Sequence, residues 1–417
     1  MKLHLLWLLC AVGTGLSLSD QLAAQATIQF QSRSSPAAAG RSGQAATSPQ
    51  TTGQRTPSSD AVSADLLAIY QQTHTATSEA DVTTIARACS KVIPDKARSR
   101  VDRDYAANLF AWALNRRGEL RNEQAAKLVE QGQLDQATSL DLQAAKDFET
   151  AIQYNPSSWR THHNLGISLA MKGDYVRAIQ EFSAAIEYKE DYPNSHFNRA
   201  ELYFELGQFP QAIEDYTRAI VLSDADPQYY NSRGHCRFML QKYDDALADY
   251  QRATELGADS AVYATDLGDA YQYLGRWEEA AKAYRTAVAI NSQYPRAYQN
   301  AAWLMATCPE AKFRNAELAL SAAKKVIELT GERSSQALDT LAAATAAVGN
   351  HRVAIGLQQE AIRLALKEEQ GELSQRLALY QRGQSFIQPA GPATSAGQPS
   401  AASSRIRTAS GVSRQAH

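Results

Sequence analysis

One pattern returns every 34 residues through the middle of this chain, and it leaves few folds open. Gly166, Ala200, Gly234, Gly268 and Ala302 each stand 34 positions after the one before. Ala144, Ala178, Ala212, Ala246 and Ala280 keep the same step. So do the aromatics four residues on, Phe148, Phe182, Tyr216, Tyr250 and Tyr284, and the small residues after them, Ala151, Ala185, Ala219, Ala253 and Ala287. A period of this length marks one helix–turn–helix per repeat, and because a single hairpin cannot bury its apolar face, neighbours must stack. Gly or Ala is expected where two antiparallel helices approach closely, and the aromatic is expected to fill the groove between one hairpin and the next. Turns inside the pairs carry Gly173-Asp174-Tyr175, Gly207-Gln208-Phe209 and Gly275-Arg276-Trp277, where glycine tolerates the left-handed backbone that ends a helix. Asn155-Pro156, Tyr192-Pro193, Asp226-Pro227 and Tyr294-Pro295 separate the pairs, each a place where a helix must stop or start.

These residues resemble the tetratricopeptide repeat, over roughly residues 111–368. The resemblance implies an all-α fold, a right-handed α-solenoid of helix-turn-helix repeats, and a scaffold that binds other proteins rather than an enzyme. One mode known in that family is not expected. The clamp for the carboxylate of chaperone tails needs Lys, Asn and Arg at set positions; here those positions hold His163, Ile167, Asn198, Gln228 and Ser232, of which Asn198 alone matches.

Taken in order, the chain opens with Lys2, an apolar run over residues 5–15 and Ala23-Ala24-Gln25-Ala26. That reads as a secretory signal peptide, residues 1–26, with an apolar run too short to span a membrane as a mature helix. Residues 27–59 are mainly Ser, Thr, Ala, Gln, Pro and Gly, with three arginines and no acid; such a stretch cannot bury a core and is expected to be a disordered linker. Residues 60–103 read as an N-terminal helical cap and 104–158 as a first repeat with both helices lengthened by about seven residues, two turns that keep the buried face in phase. Ordinary repeats follow at 159–192, 193–226, 227–260 and 261–294. The repeat at 295–334 carries a loop insertion, 335–368 is the last, with the polar Gln358 at its aromatic position, and 369–386 reads as a capping helix. Residues 387–417 hold Arg405, Arg407 and Arg414 without an acid and are expected to be a second disordered tail. Without the signal segment the cysteines are Cys89, Cys236 and Cys308, an odd set that makes no disulfide framework and is expected to pack as small hydrophobes.

No phosphate loop, nucleophile elbow or zinc-ligand pair stands out. His162-His163 are adjacent, so their side chains diverge by about 100° on a helix and would not share an ion. No cofactor or metal is expected. A net charge of −2 gives no argument for nucleic acid. In a solenoid of hairpins the first helices line the concave side, through the fifth, sixth, ninth, twelfth and thirteenth residues of each repeat. The sixth positions are Asn164, Asn198, Ser232, Asp266 and Asn300. An asparagine row both donates to and accepts from peptide groups and resembles the ladder of peptide-binding members of the family; equally, asparagine is common on exposed helix faces. The groove positions bring Phe197, Phe204, Phe238, Tyr273 and Trp303, expected as a contact stripe or, in part, as packing between repeats. Glu201, Glu205, Asp266 and Asp269 make the groove acidic and favour a ligand with basic and apolar anchors. Glu214 and Asp215 are expected on the opposite, convex face.

The reading is therefore an exported, non-enzymatic scaffold, periplasmic or secreted, that takes an extended peptide or partner protein in its concave groove. The alternatives are an envelope-assembly factor acting through its convex face or by self-association, and an accessory subunit of an enzyme complex.

Overall fold

The computed structural model describes residues 62–389. The signal segment, the 27–59 linker and the tail from residue 390 onward lie outside the described residues. Among the described residues the chain forms seventeen α-helices and one short 3-10 helix, with no strand. It is an all-α helical solenoid, and none of its described helices is long and apolar enough to cross a membrane.

Two units divide it, residues 62–205 with 214–224 and residues 206–213 with 225–389. In the first, α1 (Ala64–Thr73) and α2 (Glu79–Val92) precede the long pair α3 (Arg100–Glu130) and α4 (Leu134–Tyr154), followed by α5 (Trp159–Met171), α6 (Tyr175–Tyr188) and α7 (Pro193–Glu205). Helix α8 (Phe209–Leu222) contributes residues to both units. The second unit holds α9 (Pro227–Met239), α10 (Tyr243–Leu256), α11 (Ala261–Tyr273), α12 (Trp277–Ile290), α13 (Pro295–Thr307), the 3-10 turn Ala311–Phe313, α14 (Ala316–Thr330), α15 (Ser335–Ala347), α16 (His351–Leu364) and α17 (Gln370–Gln381). In the first unit each helix from α1 to α7 packs on the next, in the second each helix from α9 to α17 does so, and within a unit consecutive first helices also touch, α5 on α7, α11 on α13 and α13 on α15.

Local chemistry sets the ends. The Ser78 hydroxyl accepts from the Asp81 amide while the Asp81 carboxylate accepts from the Ser78 amide, a reciprocal cap that starts α2. Helices α3 and α4 run 31 and 21 residues, against 13 and 14 in α5 and α6.

The aromatic ladder is buried, but its place differs from the expectation. Each ring fills space inside its own hairpin, over the small residue of the partner helix. A Cβ on Gly166 would lie 2.8 Å from the Phe182 ring, and one on Gly118 2.5 Å from Phe148. Glycine is thus present to admit a ring, and the helices are held apart by aromatics rather than drawn into backbone contact.

The turn glycines Gly173, Gly207 and Gly275 have φ of 79°, 71° and 73°. In the repeat between the last two, the residue in register is Gln241, the sole described non-glycine with positive φ, at 61°. A side chain there costs about 1–2 kcal/mol relative to glycine. Gln241→Gly is expected to raise the unfolding free energy by about 1 kcal/mol after the entropy glycine adds to the unfolded chain is offset, read as an upward shift in the thermal midpoint.

A second ladder runs through the residue before each of the first four aromatics: Asp147, Glu181, Asp215 and Asp249. Arg117, Arg199 and Arg233 each grip the carboxylate of their hairpin, with nitrogen–oxygen distances of 2.6–2.8 Å for Arg117–Asp147, 2.7–2.8 Å for Arg199–Asp215 and 2.7–3.0 Å for Arg233–Asp249. His162 takes the arginine's part against Glu181 at 2.7 Å. Asp215 is therefore a buried clamp residue and not a convex-face charge; Glu214 beside it is exposed. Planar guanidinium–carboxylate pairs fix orientation as well as distance, so these clamps set how each second helix lies on its first.

At the C-terminal end, Gln358 is fully buried. Its amide donates to Asp339 at 3.0 Å and to the Leu373 carbonyl at 3.1 Å. The polar residue at an aromatic position thus ties the last repeat to α17, where Arg376 completes the set by donating to Asp339 at 2.8 Å. Cys89, Cys236 and Cys308 are all buried free thiols.

Candidate functional site

Helix packing decides which first-helix positions reach the surface. Four of the fifth positions are covered: His163, Phe197, Asn231 and Thr265 are all buried, whereas Gln299 is half-buried. His163 is within 3.0 Å of the Ser195 hydroxyl on the next first helix, so His162 and His163 serve different neighbours and share no ion.

In the N-terminal unit, Asn198 is fully buried and Glu201 is buried, taking the Tyr216 hydroxyl as its donor. Phe197 packs on the Tyr216 ring at 5.7 Å. Asn164 is half-buried, and its amide donates to Asn115 and Glu119, both at 3.1 Å. Phe204 and Glu205 are half-buried at the end of α7.

In the C-terminal unit, Phe238 is buried in edge contact with Tyr243 and Tyr273 at 5.2 and 4.9 Å. Tyr273 remains half-buried, its hydroxyl 3.2 Å from that of Tyr243. The expected aromatic stripe is therefore divided: Phe197 and Phe238 are packing residues by burial, Trp303 is buried in contact with residues 386 and 388, and Phe204 and Tyr273 keep partial access.

The acidic residues of this unit are committed as well. Arg296, a residue the sequence reading did not single out, reaches Asp266 at 2.6 Å and Asp269 at 2.5 Å. Asn300 donates to Asp269 at 2.6 Å, Tyr284 donates to it at 2.7 Å, and Asn231 donates to Asp266 at 2.8 Å. Burial opposes the charge on Asp266, but Arg296 and His235 outweigh it and hold the carboxyl far below its ordinary range. Asp269 goes the other way, pushed up by burial and by the charge on Asp266 despite Arg296. The basic partner anticipated for this acidic cluster is thus an arginine of the chain itself.

The same face holds a second feature. After α17 the chain turns on Gly383, at φ 71°. The Gln384 amide bonds to the Leu379 carbonyl and the Gly383 amide to that of Tyr380, both at 3.0 Å, the paired closure that ends many helices. The chain then runs without helix or strand through residues 384–389, back over the first helices. The Gln388 amide donates to the Thr307 carbonyl at 2.8 Å. Its side-chain oxygen accepts from the Trp303 indole at 3.1 Å and from Gln272 at 3.5 Å. The Ser385 hydroxyl donates to the Ala346 carbonyl at 2.8 Å. Phe386 meets the Trp303 ring at 5.7 Å, and the Arg376 guanidinium stands 5.4 Å from the Phe386 ring and 5.5 Å from that of Trp303, within cation–π reach of both. Trp303, Gln272, Thr307 and Ala346 occupy ninth, twelfth and thirteenth positions of their repeats. Among the described residues there is no group of acids, histidines and cysteines placed to hold a metal.

Family models for the tetratricopeptide repeat match residues 168–207, 193–224 and 226–293. No curated protein matches the chain. Among solved structures, MamA is 24% identical over 40% of this chain and 95% of its own, with a TM-score of 0.36. YrrB, described as a tetratricopeptide repeat protein with an unusual peptide-binding site, is 20% identical over 46% of this chain and 97% of its own, at 0.39. A tetratricopeptide repeat protein from Parabacteroides merdae is 19% identical over 63% and 98%, at 0.46. Matched models from residue 168 to 293, lying on helix pairs that carry the 34-residue ladder, show that this part of the chain is built of tetratricopeptide repeats.

Proposed function

We propose that the chain is a non-enzymatic scaffold that binds an extended segment of a partner protein on the first-helix face of its repeats. The observation that carries this reading is the seat on α11, α13 and α15, which holds a non-helical segment by one backbone and several side-chain hydrogen bonds. Main-chain bonds supply affinity and side-chain pockets supply choice in this mode of recognition. Because Asp266 and Asp269 already answer to Arg296, the favoured ligand is aromatic and polar rather than basic.

Tyr273→Ala with Asn300→Ala is expected to lower partner affinity by roughly tenfold, the scale of one lost polar or aromatic anchor. Circular dichroism should show helicity retained. Affinity unchanged by that pair but lost on charge reversal of Glu214 would move the binding surface to the second helices. The export reading remains part of the proposal. It rests on Lys2, the apolar run over residues 5–15 and the Ala23–Ala26 segment, and the N-terminus of the mature protein is expected at Gln25 or Thr27; an intact Met1 in a cytosolic fraction would refute it.

A further inference from the structure

We propose that the seat around Trp303 recognises an aromatic residue followed two positions later by glutamine or asparagine, and that the chain's own Phe386-Ile387-Gln388 fills it at rest and is displaced by a partner segment carrying the same pair. The inference rests on the binding face proposed above and names what that face selects. Three observations carry it.

The first is alternation. Phe386 and Gln388 both turn toward the first helices, whereas Ile387 between them is 42% exposed. Side chains two apart share one side of an extended chain, so the seat reads positions one and three and ignores position two. The second is the chemistry of each subsite. An aromatic ring lies against both the Trp303 indole and the Arg376 guanidinium, whose own place is fixed by its bond to Asp339. The next subsite presents two donors, the Trp303 indole and the Gln272 amide, to one acceptor oxygen. A carboxamide supplies that acceptor oxygen without bringing a charge into the seat. The third is an imperfect fit. The Gln388 side-chain nitrogen is buried with no hydrogen-bond partner among the described residues. An unpaired buried donor weakens the resting contact, so the segment is held loosely enough to be exchanged.

The resting segment follows α17 directly, so it competes at the effective concentration of a short tether, commonly in the millimolar range. A partner motif therefore binds the intact chain weakly unless the resident segment is removed.

The test uses the full chain and a fluorescent peptide of sequence Gln-Ser-Phe-Ile-Gln-Pro, copied from residues 384–389, read by anisotropy. Phe386→Ala with Gln388→Ala in the protein is expected to tighten peptide binding at least tenfold over the unaltered chain. A peptide with both positions changed to alanine should not bind either protein. Adding Gln272→Ala to the opened protein should weaken binding again. Should the double variant melt at a much lower temperature, Gln388→Ala alone is used, with a smaller gain expected, and the unmodified peptide should raise its melting temperature while leaving that of the unaltered chain in place. Equal binding to the open and intact proteins, or no binding to either, overturns the proposal. It does so separately from the broader reading: a partner still lost on Tyr273→Ala with Asn300→Ala would keep the face and discard the motif, whereas a partner indifferent to that pair would discard the face.

Discussion

Gly268→Leu will lower stability by about 3 kcal/mol or more, the upper range for side chains forced into a filled interior. A Cβ at this position lies 2.6 Å from the Tyr284 ring, and the ring has nowhere to go. It is buried, and its hydroxyl is pinned by Asp269 at 2.7 Å and Gln272 at 3.1 Å. Leucine is specified because Ala200, in register with Gly268, stands opposite Tyr216, so a single methyl is within what this fold accommodates. The contrasting change is Gly356→Ala on α16. That glycine is exposed in a helix interior, and a Cβ there meets nothing within 4 Å. Alanine should stabilise by about 0.4–1 kcal/mol through helix propensity and a smaller unfolded ensemble. Opposite shifts in the thermal midpoint are the expected result; a loss at both sites of equal size would mean the ring-over-glycine packing is not what the small residues serve.

Arg296→Met should cost about 3–5 kcal/mol at neutral pH, the penalty for leaving buried charge without its partner. Two carboxylates, Asp266 and Asp269, would face each other with Arg296 gone. Both would then have folded-state pKa values raised above those of the unfolded chain. A raised acid contributes stability below the unfolded carboxylate range and loses it as pH rises, so the variant should fall furthest behind the parent at neutral pH and recover ground toward pH 4. Adding Asp266→Asn and Asp269→Asn to Arg296→Met should restore much of the loss at neutral pH, because the charges are removed together with their partner. A penalty that is flat with pH would show that Arg296 matters for its volume and not for its charge.

How much of this could be read from residues alone follows from the range of the interactions. The 34-residue ladder of Gly166, Ala200, Gly234 and Gly268 with its aromatics is a local, repeated pattern, and it sufficed for the helix pairs and the solenoid. It did not say which neighbour an aromatic covers, because ring-in-hairpin and ring-between-hairpins have the same period. The Asp147–Asp249 ladder was present in the same register but carried no meaning until Arg117, Arg199 and Arg233 were seen opposite it. Surface access was harder still. Whether Phe197 or Asn198 meets solvent depends on what packs over α7, which no single repeat encodes. The pairing of Arg296 with Asp266 spans 30 residues, and the seat of Gln388 on Trp303 spans 85. Phe386, at the end of the segment read as a capping helix, and Gln388, in the segment read as a low-complexity tail, had no pattern to mark them.

The central claim is that partner proteins meet the first-helix face. A photoreactive amino acid placed at Tyr273, on that face, and in a separate protein at Val353, 48% exposed on the second helix α16, tests it most directly in cells of the native host. The account predicts a specific cross-linked species from position 273, diminished by Asn300→Ala, and none from position 353. Cross-links from 353 that survive while 273 stays silent would contradict it.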